Sequence, residues 1–200
     1  MVGIVAQSLV RPRHEELVAA AVRLFRERGY HATSMQDLAE ALGIQRGSLY
    51  HYIAAKEDLL WEIMDRAMTR LWAAVAPVAR ASSSAVRRLQ EAIAAHLAVA
   101  ASLRDELTIL HVELKSLSPG RRREMVARRD RYEALFREIL EEGIARGEFR
   151  EVDVRATAFA LLGACNWFTQ WFRPDGPQGH DHFARWFSEL FLRGLQRREA

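Results

Sequence analysis

The stretch Ser34-Met35-Gln36-Asp37-Leu38-Ala39-Glu40-Ala41-Leu42-Gly43-Ile44-Gln45-Arg46-Gly47-Ser48-Leu49-Tyr50-His51-Tyr52 decides the fold of this chain. Ser34 and Asp37 stand in the Ser-x-x-acid spacing of a capping box, which opens a helix. Met35, Leu38, Ala39 and Leu42 then recur at i, i+3, i+4 and i+7, one apolar stripe over two turns. Gly43 stands where the chain must turn left-handed to stop that helix, and Ile44 plugs the corner. Residues 45–52 form a second short helix whose outward side chains are donors or aromatics. Such a helix adds little to a core. Presenting Arg, Ser, Tyr and His outward suits the major groove of DNA.

The wording continues on both sides. Thr33-Ser34-Met35-Gln36-Asp37-Leu38-Ala39, Leu42-Gly43-Ile44, Gly47-Ser48-Leu49-Tyr50-His51-Tyr52 and Lys56-Glu57-Asp58-Leu59-Leu60 together resemble the DNA-binding domain of tetracycline-repressor (TetR) regulators. Ala21, Leu24, Phe25 and Gly29-Tyr30 match that domain's first helix. The resemblance is strong over residues 12–62 and diffuse beyond. It implies an all-α fold of about nine helices: a three-helix DNA-binding domain over residues 1–56, and a helical ligand-binding and dimerisation domain over 57–200.

Periodicity independently predicts only helices. The first spans residues 12–28, with Pro12 in its first turn. A long helix from Lys56 carries Leu60, Ile63, Met64, Ala67, Met68, Leu71 and Val75, until Pro77 ends or kinks it. Further helices are expected to about Ser102, over residues 105–117, from Arg121 to a glycine stop at Gly143 or Gly147, from Val152 or Asp153 to about Arg173, and over residues 182–198. No strand alternation and no internal repeat is visible.

Composition bounds the function. The formal charge is only +3, and residues 1–56 set Arg11, Arg13, Arg23, Arg26, Arg28, Arg46 and Lys56 against Glu15, Glu16, Glu27, Asp37 and Glu40. DNA binding would rest on a few placed cations and on dimerisation, not on a broad positive field. Cys165 is the single cysteine, so no intramolecular disulfide exists. The N-terminus lacks a signal-peptide pattern and no apolar run is long enough to span a bilayer; a cytoplasmic protein without membrane partners is expected. The chain has neither a Gly-x-Ser-x-Gly elbow, a phosphate-cradling glycine loop, nor the Glu-x-x-His pairs of a helical di-metal site. It is therefore read as a non-enzyme without metal or cofactor, and His180-x-His182 as an exposed turn.

Family roles carry over where residues match. The resemblance implies phosphate contacts at Thr33 and Ser34, base reading by Gln45, Arg46 and Ser48, close backbone approach at Gly47, outward contacts from Tyr50 and His51, a partly packed Tyr52, and a phosphate lysine at Lys56. Arg11 and Arg13 are open to two readings, a contact in a flanking minor groove or a disordered tail. A palindromic operator and a homodimer are the expected partners. Phe159, Leu162, Trp167, Phe168, Trp171, Phe172, Phe183, Trp186, Phe187 and Phe191 load the last two helices with more aromatic surface than two helices can hide.

The resemblance also implies a small-molecule effector in the second domain. Its candidate lining is Met64, Met68, Leu71, Trp72, Leu110, Leu114, Tyr132, Phe136, Phe159, Leu162, Asn166 and Trp167. Asn166-Trp167-x-x-x-Trp171-Phe172-Arg173-Pro174-Asp175-Gly176 resembles a segment of the acyl-CoA-responsive regulators of fatty-acid and steroid degradation. That points to an acyl-CoA, with its phosphates near Arg129 or Arg173; Arg129 stands in a run with Arg121, Arg122, Arg123, Arg128 and Arg131. Glu124 and Asp130 interleave with these arginines as on a solvated face. An unrelated hydrophobic or aromatic effector of the drug-efflux type is the alternative, and an interaction protein that does not bind DNA ranks behind it.

Overall fold

The computed structural model describes the backbone of residues 2–195 and the side chains of residues 13–195. Those residues form nine α-helices and no strand: α1 Val2–Arg28, α2 Met35–Ala41, α3 Arg46–Leu49, α4 Lys56–Ala79, α5 Ala85–Ser102, α6 Arg104–Val112, α7 Pro119–Ala145, α8 Val154–Trp171 and α9 His180–Leu195, with a 3-10 turn at Leu114–Ser116. They make up two units. One contains the residues up to Arg66 together with Thr108–Met125, the other Ala67–Leu107 and the residues from Val126 onward. The expected boundary after residue 56 lies at the start of α4; the units part further along that helix.

In the first unit, α1 buries Leu17, Val18, Ala21, Leu24 and Phe25, an i, i+1, i+4, i+7, i+8 stripe that faces one core. Leu38 and Ala39 of α2, Leu49 of α3, and Leu59, Leu60 and Ile63 of α4 are also buried. Each such side chain contributes about 1.5–3 kcal/mol on leaving water. The helix ends follow backbone chemistry. Ile44 N–H bonds to Ala39 O and Gly43 N–H to Glu40 O, a Schellman closure of α2 with Gly43 at φ +64°. A side chain there would collide with its own backbone.

In the second unit, α5 packs against α8 and α9, burying Leu89, Ile93 and Leu97 with Leu161, Cys165 and Phe168. Arg88 is also buried. Its guanidinium donates to Ala79 O at 3.1 Å and to Glu142 Oε2 at 2.7 Å, closing the end of α4 and compensating the buried charge. Rings from Phe168, Trp171 and Phe172 meet Phe183 at centroid distances of 5.8, 5.1 and 6.2 Å.

Several helix limits differ from the periodicity. α1 begins at Val2, so Pro12 lies inside the helix and not in its first turn. Pro77 falls in the last turn of α4, where the helix continues to Ala79. α6 stops at Val112 and the chain turns through Leu114–Ser116. α7 ends at Ala145 with Gly147 at φ +72°, which makes Gly147 the terminator. Gly143 lies within α7 for a different reason: a Cβ there would stand 2.2 Å from Cδ2 of Phe149. The expected end of the last helix, beyond residue 195, lies outside the described residues, as do the side chains of Arg11 and Pro12.

Candidate functional site

Ser34 caps α2 as its spacing requires. Its Oγ accepts from Asp37 N–H at 3.1 Å, and Asp37 Oδ2 accepts from Ser34 N–H at 2.7 Å. The Ser34 bonds, with help from Arg28 at 3.0 Å, hold the Asp37 carboxyl below the usual range. Thr33 is fully buried, and its hydroxyl donates to Gly29 O at 2.9 Å and Leu24 O at 3.3 Å. That hydroxyl therefore closes the end of α1 and does not reach outward for a phosphate.

Lys56 departs further from expectation. Its ammonium donates to Tyr30 O at 2.7 Å and Thr33 O at 2.6 Å, and lies 4.3 Å from the centre of the Tyr30 ring. Burial pulls it below the usual lysine range against the attraction of Glu113 and Asp37. Lys56 is a clamp on the α1–α2 connection, with two of its three protons directed inward.

α3 is four residues long, shorter than the eight-residue helix expected, and residues 50–52 continue as a turn. Leu49 anchors it with zero exposure. Gln45, Arg46, Gly47, Tyr50 and His51 are exposed, while Ser48 and Tyr52 are half-buried. Half of the Tyr50 surface faces solvent (51 %) although the residue is aromatic. A Cβ on Gly47 would meet nothing within 4 Å, so the fold itself places no demand for glycine there. This donor-rich face stands on a packed support, the arrangement that groove reading needs.

A second set of contacts on the same unit was not legible in the sequence. Glu113 Oε1 accepts from Tyr30 N–H at 3.2 Å, and Ser116 Oγ lies 2.9 Å from His31 Nε2. Glu57 accepts from Ser118 N–H at 2.9 Å, and Arg121 donates to Asp58 at 2.6 Å. These bonds pull the Glu57 and Asp58 carboxyls below their usual range. The connection between α6 and α7 is thus fastened to the helix-turn-helix unit, and Arg121 is committed to carboxylates. Partners 61 to 85 residues apart leave no local signal in the sequence.

The candidate effector residues divide between the units. In the first, Met64 and Leu110 are fully buried and Leu114 is half-buried. In the second, Met68, Leu71, Tyr132, Phe136 and Leu162 are buried, and Trp72, Arg129 and Asn166 are half-buried. Tyr132 OH lies 2.8 Å from His96 Nδ1, both buried. Burial raises the Tyr132 hydroxyl well above its usual value and pushes the neighbouring Cys165 thiol up to about 12, leaving it inert. Phe159 and Trp167 do not join this interior: they are 50 % and 67 % exposed. With Trp171 they form an outward stripe at helical spacing on α8, and Trp186 and Leu190 are likewise exposed on α9. Arg173 is exposed just after α8. A cavity of about 220 Å³ is lined by Met68, Thr69, Trp72, Arg128 and Arg131. Among the described residues no group of three or more His, Cys, Asp or Glu side chains converges as metal ligands, and no helix is long and apolar enough to cross a membrane.

Residues 17–63 match the model for bacterial regulatory proteins of the tetR family, and residues 82–195 match that for a tetracyclin repressor-like C-terminal domain. The TetR-family regulator PfmR of Thermus thermophilus is 40 % identical and superposes with a TM-score of 0.83, over 90 % of this chain and 99 % of its own. The transcriptional repressor KstR2 of Mycobacterium tuberculosis is 27 % identical over 93 % of this chain and 94 % of its own length. AibR, solved with isovaleryl coenzyme A and operator DNA, is 29 % identical with a TM-score of 0.80, over 89 % of this chain and 97 % of that one.

Proposed function

The chain belongs to the TetR family of bacterial regulatory proteins, and from that premise we propose a homodimeric repressor that an acyl-CoA releases from a palindromic operator. The family consists of transcription regulators and not enzymes. The observation that carries the DNA-binding role is the exposed donor face at residues 45–51, held on a three-helix support by Leu49. In this reading the exposed Arg46 reads a guanine edge and Gln45 an adenine, with Tyr50 and His51 beside them. KstR2 is named a repressor, and AibR holds both an acyl-CoA and operator DNA; their similarity over most of the chain supports repression and this effector class. In this reading the acyl chain enters the buried apolar interior beside the Tyr132–His96 pair. Such a protein acts in the cytoplasm.

The outward stripe of Phe159, Trp167, Trp171, Trp186 and Leu190 is the dimer face in this reading, because a monomer gains nothing from so large an apolar patch. Two-fold symmetry then spaces the half-site centres by about 34–36 Å, one turn of duplex. Release requires tighter effector binding to the form that does not bind DNA. The test is fluorescence anisotropy of a labelled operator with acyl-CoAs of graded chain length, free CoA, free fatty acid and a panel of hydrophobic drugs, alongside light scattering. A dimer released by acyl-CoA and less well by the free acid is expected. Release by drugs alone replaces the effector class, and a monomeric mass at micromolar concentration refutes the assembly.

A further inference from the structure

Five residues of α8 recur at every fourth position: Arg155, Phe159, Gly163, Trp167 and Trp171. All five are exposed, and together they form one i±4n ridge. The ridge has a centre. Gly163 lies midway, with Phe159 and Trp167 one turn to either side, and Arg155 and Trp171 two turns out, about 12 Å along the axis. The neighbouring row is small: Ala156 and Ala160 are exposed and Ala164 is half-buried, so the rings stand beside a shallow groove. Glycine is the least favourable residue after proline in a helix interior, and a Cβ on Gly163 would meet nothing within 4 Å. Nothing inside the subunit therefore calls for glycine there. A second helix crossing at that point does, because the missing side chain lets the two axes approach.

The two ends of the ridge differ in chemistry. At one end the Arg155 guanidinium lies 5.4 Å from the centre of the Phe159 ring and has no ion pair among the described residues. At the other end a cavity of about 310 Å³ is lined by Trp171, Gln178, His182, Phe183, Trp186 and Phe187. Trp171 meets Phe183 and Phe187 at centroid distances of 5.1 and 6.3 Å, and Trp186 meets Phe187 at 6.3 Å, so its walls brace one another. No Lys, Arg, Asp or Glu takes part in the lining. Such an aromatic cage attracts a cation, and a guanidinium stacks its flat face on the rings.

We infer that α8 of one copy crosses α8 of a second copy at Gly163, on the molecular two-fold axis, and that each Arg155 enters the Trp171–Trp186 cage of the other copy. This rests on the homodimer reading and places its axis. A two-fold through Gly163 sets Phe159 against the partner's Trp167 and Arg155 against the partner's Trp171, so one ridge is its own complement. Ridges of this type packed on each other cross at about −50°. The rings of Phe159, Trp167, Trp171 and Trp186, each about half exposed, contribute on the order of 400 Å² per copy. That is half of the roughly 800 Å² per partner in a standard interface.

The test uses the full chain. Gly163→Cys should cross-link to its own mate under mild oxidation, since the Cα atoms at the crossing point lie within the roughly 7 Å that a disulfide spans. Ala156→Cys should not, its mate being about 21 Å away along the axis. Cys165 is buried, and wild type serves as the blank. Fluorescence-detected sedimentation then gives the dimer Kd. Arg155→Gln should raise it about tenfold, two cages being emptied per dimer, and Arg155→Lys by less. In a Trp171→Leu background Arg155→Gln should add little. Gly163→Leu should raise Kd by about tenfold or more while circular dichroism shows the helical content of wild type. The cysteine and arginine variants lie on the exposed surface, so they decide the matter even where Trp171→Leu fails to fold. If wild type is a monomer, the homodimer reading itself falls. If it is a dimer in which Gly163→Cys stays uncross-linked, or whose Kd is unchanged by Arg155→Gln, the inference is wrong and the dimer stands on another contact.

Discussion

Lys56→Met separates two roles for one residue. The variant keeps the aliphatic stem that packs along the chain and removes the ammonium from Tyr30 O and Thr33 O. Hydrogen bonds to a charged donor contribute about 1.5–3 kcal/mol each, and the ring contact with Tyr30 adds about 0.5–1 kcal/mol. The cost of desolvating the ammonium, visible in its lowered pKa, offsets a large part, and the variant also spares that cost. A net loss of about 2 kcal/mol follows, which for a chain of this length lowers Tm by roughly 4–8 °C. Because the proposed interface residues sit on the unit that Lys56 clamps, operator affinity should fall as well. Its dependence on salt should not change, since no phosphate contact is removed. A phosphate lysine would behave in the opposite way: Tm unchanged, and the slope of log K against log salt reduced by about one for each lysine lost. Thermal melting and operator titrations at three salt concentrations decide the matter. A reduced slope with an unaltered Tm would refute the clamp.

Arg46→Ala should cost about 1–3 kcal/mol on the operator and much less on a scrambled duplex, because a base-edge contact discriminates whereas a phosphate contact does not; equal losses on both duplexes would remove Arg46 from the reading set. Gly143→Ala should destabilise by about 1–3 kcal/mol although alanine is the better helix former by about 0.8–1.0 kcal/mol, since the new Cβ lies 2.2 Å from Phe149 Cδ2 and 2.9 Å from Ala85 Cβ. Denaturant melts should show Phe149→Leu recovering part of that loss, and a stabilised Gly143→Ala would contradict the packing. Acid should loosen the first unit: Arg66 holds Glu15, Ser34 holds Asp37, the Ser118 N–H holds Glu57 and Arg121 holds Asp58 below their usual carboxyl values. Depressed carboxyls stabilise above their unfolded pKa near 4 and lose that contribution as pH falls through the folded values. Tm should therefore drop between about pH 5 and pH 3, less steeply in Arg121→Gln, and a Tm flat across that window would count against these pairings.

What the chain determined by itself was local. The capping box of Ser34 with Asp37, the left-handed stop at Gly43, and the apolar stripe of α1 each depend on residues within a turn or two of one another. Backbone geometry fixes their outcome without any neighbour. The helix-turn-helix was legible for that reason, and with it the exposed Gln45, Arg46, Tyr50 and His51. Tertiary structure decided the rest. Spacing shows which residues share a helix face but not what that face meets, so Phe159 and Trp167 read as lining and stand outside. Thr33 and Lys56 have the chemistry of phosphate ligands, yet carbonyls at Gly29, Leu24 and Tyr30 lie nearer once α1 and α4 pack. Gly143 reads as a helix stop, and only the Phe149 ring against it shows why no side chain fits. Donor chemistry is a property of the residue; whether a donor is available depends on what the fold places within 3 Å of it.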